Sequence, residues 1–133
     1  MSSTKVLDSY ALIAFLENEP GADAVRELIL QAEAGELKLL MCVINLGEIW
    51  YSIARTTSPK TADRFVQEIQ GMAIEFVDAD WALTQQAAIY KARGRISFAD
   101  CFAAALAKTR KAEVVTGDKE FKRLEDEIEI IWL

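Results

Sequence analysis

The chain has 133 residues, 52% hydrophobic and 27% charged, a globular balance with length for one sizeable core. Its net charge of −6 argues against a protein that coats nucleic acid without specificity, and no apolar run reaches the roughly 20 residues of a membrane helix. Histidine is absent, which removes Ser-His-Asp and Cys-His triads, histidine zinc sites and histidine general bases together.

The expectation is one domain, residues 1–133, located in the cytoplasm. Met1-Ser2-Ser3-Thr4-Lys5 leads into a strand pattern without the apolar segment of a signal peptide. Cys42 and Cys101 lack C-x-x-C spacing and read as small buried hydrophobes in a reducing compartment.

In chain order, Lys5-Val6-Leu7 reads as a short strand, and Asp8 or Ser9 then caps a helix to about Glu17. Pro20-Gly21 breaks that helix. A second runs from Ala22 to about Ala34, with Val25, Leu28, Ile29 and Ala32 on one face. Leu39-Leu40-Met41-Cys42-Val43 is apolar throughout, the mark of a strand buried on both faces. Asn45 opens a helix to about Arg55, and Ser58-Pro59 begins another, with proline at a permitted position. Ile74–Val77 is a strand, Asp80 to about Arg93 a helix ended by Gly94, and Ser97 starts a helix through Lys111. Glu113–Thr116 is a strand, Lys119–Glu125 is helical, and Ile128–Trp132 closes the chain as an edge-like strand. Strands interleaved with helices imply an α/β fold: a mostly parallel central sheet between two helical layers.

Four acids fall where an apolar run gives way to a helix start: Asp8, Glu48, Asp100 and Asp118. Each alone has an ordinary explanation. Asp8 and Asp118 suit helix N-caps, and Asn45-x-x-Glu48 and Ser97-x-x-Asp100 have capping-box spacing or nearly so. Together they mean more. The ends of parallel strands meet along one edge, where ligands bind, and four acids gathered there repel one another strongly. A divalent cation relieves that repulsion, and hard oxygen ligands suit Mg²⁺ or Mn²⁺. Helix starts beside it can hold a phosphate. Residues 91–111 carry six basic residues against Asp100 alone, so one acid sits inside the only basic stretch. The reading is a metal-dependent enzyme acting on a phosphate-bearing substrate.

The order and context of the acids resemble the PIN domain, in particular the VapC-type ribonuclease toxins of toxin–antitoxin pairs. The matching segments are Val6-Leu7-Asp8-Ser9-Tyr10-Ala11-Leu12-Ile13-Ala14, Asn45-Leu46-Gly47-Glu48-Ile49-Trp50-Tyr51, Ser97-Phe98-Ala99-Asp100-Cys101-Phe102-Ala103-Ala104-Ala105-Leu106-Ala107 and Val115-Thr116-Gly117-Asp118-Lys119-Glu120-Phe121. The resemblance implies a three-layer α/β/α PIN-like fold and a metal-dependent endoribonuclease. By the same resemblance Asp8, Glu48, Asp100 and Asp118 bind one or two Mg²⁺ or Mn²⁺ ions, with Asp8 and Asp100 as principal ligands. Ser9 and Thr116 would orient the carboxylates, while Lys91, Arg93 and Arg95 would hold the RNA backbone. A homodimer and a cognate antitoxin are implied as well. Tyr10 departs from the pattern, standing where the family often has a small or polar residue, and bears on substrate choice.

Other readings fit less well. A haloacid dehalogenase-type phosphatase needs a second aspartate at the place of Tyr10, and a receiver domain needs a lysine where Thr116-Gly117 stands. A dinucleotide fold needs a glycine-rich first turn. The remaining alternative is a PIN-like module that binds RNA or protein without cutting.

Overall fold

The computed structural model describes residues 3–133; Met1 and Ser2, the start of the segment read for a signal peptide, lie outside it. The elements are β1 (Ser3–Leu7), α1 (Ser9–Leu16), α2 (Ala22–Glu33), β2 (Leu37–Cys42), α3 (Val43–Thr56), α4 (Pro59–Gln70), β3 (Glu75–Val77), α5 (Trp81–Ala92), α6 (Phe98–Arg110), β4 (Glu113–Thr116), a 3₁₀ helix (Lys119–Leu124) and β5 (Ile130–Trp132).

All strand pairings are parallel, in the order β3-β2-β1-β4-β5. The unbroken apolar strands follow from burial on both faces. Val6, Leu40 and Val114 turn to one face and pack with α5 and α6, including Leu83, Tyr90, Phe102 and Leu106. Leu7, Leu39, Met41 and Val115 turn to the other, where Leu12, Val25, Ile49 and Ala62 of α1–α4 cover them. The result is the expected three-layer α/β/α arrangement.

The chain builds outward from β1 to β3, then returns to pair β4 on the other side of β1. The strand order therefore reverses between β1 and β4, and their carboxyl ends flank the crevice that such a switch creates. Leu7 pairs with Val115, so Asp8 and Thr116, one residue further on, come side by side at that crevice.

Three local readings change. Val43 opens α3 instead of ending β2, and Asn45 is fully buried, so the capping box expected from Asn45 to Glu48 does not form. The segment after Asp118 is a 3₁₀ helix. The last strand is shorter than expected, starting at Ile130 because Ile128 is drawn into the core with Phe121 and Leu124. Among the described residues no helix is long and apolar enough to cross a membrane.

Candidate acidic site

Asp8 leaves β1 into the N-cap of α1 and is fully buried. Its Oδ1 accepts the Ala11 N–H at 2.8 Å, and its Oδ2 accepts the Thr116 hydroxyl at 2.5 Å. Asp8 is thus an N-cap of α1 whose carboxylate is also bonded across to β4. Burial pushes its carboxyl up to about 7; the Thr116 and Ala11 bonds oppose that, and the charges of Asp118 and Glu48 add to it.

Asp118 is half-buried and caps the 3₁₀ helix, its Oδ1 accepting the Glu120 N–H at 3.0 Å. The Thr116 hydroxyl oxygen accepts the Asp118 N–H at 2.9 Å. Thr116 therefore ties together the two acids that follow the central strands.

Asp100 enters from α6, whose first turn is closed by Ser97 Oγ accepting the Asp100 N–H at 3.2 Å. Its side chain is buried and Oδ2 has no hydrogen-bond partner. Burial, then the adjoining Asp118 carboxylate, then Asp8 push Asp100 up to about 8, with Ser97 acting against them. Such an acid is protonated at neutral pH unless a cation takes the proton's place.

Glu48 reaches the site from α3, half-buried, and its Oε1 accepts the Ser9 hydroxyl. Asn45, one turn earlier on α3, donates its Nδ2 to the Ala99 carbonyl at 3.1 Å, fastening α3 to the residue before Asp100.

The tightest carboxylate group adds a residue not singled out in the sequence. One oxygen each from Asp100, Asp118 and Glu120 lie within 4.8 Å of one another. Glu120 is exposed, and its Oε2 accepts the Ser97 N–H at 2.9 Å, bridging the 3₁₀ helix to the start of α6. The sequence signal for it was the acid pair Asp118-x-Glu120. Asp8 and Glu48 lie outside that tight group, although Asp8 bears electrostatically on Asp100 and Glu48 on Asp8.

The donor set fits a hard divalent cation. Three carboxylate oxygens converge, no soft ligand is among them, and the buried Asp100 Oδ2 receives no hydrogen-bond donor, its close neighbour being the like-charged Asp118 carboxylate.

The basic residues are largely engaged elsewhere. Lys91 Nζ donates to the Ile96 carbonyl at 2.8 Å, and Arg93 pairs with Glu127 at 2.6 Å. Arg95 is exposed, with no ion pair among the described residues. Burial pushes the Cys101 thiol up to about 11, which leaves it inert as a nucleophile.

No curated protein matches the chain by sequence. Among solved structures, the VapBC2 complex from Rickettsia felis, bound to a promoter DNA fragment, contains a similar chain at 18% identity, with 98% of each chain covered and a TM-score of 0.76. DNA-bound VapBC from Salmonella typhimurium gives 25% identity, 98% of each chain and a TM-score of 0.75. VapC20 of Mycobacterium tuberculosis, described as a toxin cleaving the sarcin–ricin loop, gives 15% identity, 90% of this chain, 93% of that one and a TM-score of 0.70. The family model of the PIN domain matches residues 5–127. That span runs from β1 past the 3₁₀ helix and takes in every acid of the crevice, and the chain belongs to the PIN domain family.

Proposed function

We propose that the chain is a metal-dependent endoribonuclease, one PIN-like nuclease domain over residues 1–133, and the toxin of a type II toxin–antitoxin pair. The observation that carries this is the buried Asp100 carboxylate, whose Oδ2 has no hydrogen-bond partner and one of whose oxygens lies within 4.8 Å of oxygens from Asp118 and Glu120. Asp100, Asp118 and Glu120 would hold Mg²⁺ or Mn²⁺, with Asp8 and Glu48 completing the site. A cation held by these residues would supply what histidine otherwise has to, activation of water and an offset to charge on the phosphate.

The chain's own residues do the rest. Thr116 keeps Asp8 oriented and favours its ionised form, since a hydrogen bond to the charged form lowers its pKa. The Ser9 hydroxyl donates to Glu48 Oε1 and keeps that carboxylate oriented. Ser97 and Glu120 hold the start of α6, and with it Asp100, against the 3₁₀ helix. Arg95, with Lys91 and Arg93 around it, is proposed to meet the RNA backbone; Arg93 would exchange Glu127 for phosphate.

The toxin branch is favoured by neighbours described as VapBC complexes. From them we read a cognate antitoxin as partner, and from the family resemblance a homodimer in the cytoplasm.

The test is cleavage of a mixed RNA pool by purified protein in Mg²⁺, Mn²⁺ or EDTA, beside Asp8→Asn and Asp100→Asn. Cutting that requires metal and disappears in both variants supports the assignment. Absence of cutting by partner-free protein would replace it with a non-catalytic binding module.

A further inference from the structure

Tyr10 stands in the first turn of α1, two residues after Asp8, and is 46% exposed. Its ring lies against Gly117, the residue between Thr116 and Asp118. A Cβ on Gly117 would come within 2.3 Å of the ring's Cε1 and 2.6 Å of its Cζ. Gly117 is not among the residues with positive φ. Its missing side chain therefore answers to the ring and not to the turn. The ring rests on the backbone that presents Asp118, fixed on one side and open to solvent on the other.

An acidic crevice repels the phosphates of its substrate, and Lys91 and Arg93 are engaged with protein partners. An uncharged contact is a further way to hold a nucleotide close to the acids, beside the basic residues proposed to meet the backbone. Aromatic stacking supplies one, because every base has a π-face; it is worth roughly five- to 150-fold in affinity. Of the other exposed aromatics near the acidic motifs, Trp132 lies on the edge strand β5 in register with Thr116, and three more already have partners. Phe98 packs on Phe102 at 4.9 Å between centroids, Tyr51 carries the Arg55 guanidinium at 4.9 Å, and Trp50 Nε1 donates to Asp63.

We propose that Tyr10 is a stacking platform that holds an unpaired nucleobase beside the acidic crevice, and so selects single-stranded RNA at the cutting site. The proposal rests on the nuclease reading and adds the substrate feature that site would read.

The experiment mixes random-sequence single-stranded RNA carrying 2-aminopurine with the protein and Mn²⁺ in a stopped-flow fluorimeter, then resolves the products of the same samples on a gel. Quenching on mixing reports stacking, and the products report cutting. Wild type and Tyr10→Phe should quench and bind alike, while Tyr10→Ala should lose the quench and bind about tenfold more weakly. All should keep the same Mn²⁺-induced rise in Tm. Tyr10→Leu fills the space above Gly117 and serves if the alanine variant does not fold; it should also lose the quench.

Quenching and affinity retained in Tyr10→Ala or Tyr10→Leu, no quenching by wild type, or equal loss in Tyr10→Phe would each overturn the platform. Quenching by wild type without any products would overturn the nuclease reading and leave the platform standing.

Discussion

Thr116 and Asp8 are joined across the two central strands by a buried hydrogen bond of 2.5 Å from hydroxyl to carboxylate. Its energetic weight is asymmetric, because removing the donor leaves the Asp8 oxygen buried without compensation, at about 1–3 kcal/mol. Thr116→Val preserves the shape and deletes the donor. It should lower Tm by several degrees and raise the Asp8 pKa further, weakening the Mn²⁺-induced Tm shift at pH 7; Thr116→Ser should restore both. Differential scanning fluorimetry with and without Mn²⁺ measures this, and a valine variant with wild-type Tm would refute it.

Asn45 gives the second prediction. It is fully buried, and its one hydrogen bond runs to the Ala99 carbonyl beside Asp100. Asn45→Leu removes the tie between α3 and α6 and should cost about 1–3 kcal/mol. Asn45→Asp has nearly the same shape but brings a further carboxylate toward an acidic crevice. Its deficit in Tm should therefore be larger at pH 8 than at pH 5. Equal deficits at both pH values would rule out the electrostatic part.

How much of this was written in the sequence differs by element. The strands were legible because β1, β2 and β4 are buried on both faces, which produces runs such as Leu39-Leu40-Met41-Cys42 with no polar interruption. The acids at their ends stood out for the same reason. Val43 misled because a β-branched apolar residue extends such a run, and only the packing of α3 decides where the chain turns. Glu120 was hidden because the six-residue 3₁₀ helix is too short to show a period, and its bond to Ser97 spans 23 residues. Likewise the basic stretch counted as free charge in the sequence, while Glu127 and Glu75, distant along the chain, neutralise Arg93, Lys108 and Arg110 in the fold.

Glu120→Gln isolates the residue that sequence reading missed. The amide oxygen can still accept the Ser97 N–H, so the fold should keep its Tm. The lost charge should weaken Mn²⁺ binding, seen as a smaller Mn²⁺-induced Tm shift and a higher metal concentration for half-maximal cutting. Unchanged metal dependence would remove Glu120 from the site.

Gly117→Ala should be poorly tolerated for a reason unrelated to turn conformation. The new methyl group would collide with the Tyr10 ring at 2.3 Å, forcing the ring out or displacing Asp118. Combining it with Tyr10→Ala removes the obstacle, so the double variant should be more stable and bind Mn²⁺ better than Gly117→Ala alone. Strict additivity of the two changes in a double-mutant cycle would show that the contact carries no energy.

The last prediction concerns pH in protein stripped of metal with EDTA. Burial pushes Asp8 up to about 7 and Asp100 up to about 8 in the fold, against 3.8 for a free aspartate. Between about pH 4 and pH 8 the folded chain therefore holds protons that the unfolded chain has lost. Stability from these two groups is complete below pH 4 and disappears as pH rises through 7 and 8. Tm in EDTA should fall by several degrees from pH 5.5 to pH 8.5. With saturating Mn²⁺ the fall should vanish, because the cation replaces the protons and its binding strengthens as pH rises. In Asp100→Asn the drop in EDTA should shrink, since one of the two titrating groups is gone. A Tm in EDTA that holds steady across this window would mean that the two carboxyls are already ionised in the folded chain, and that the crevice relieves their repulsion without a metal.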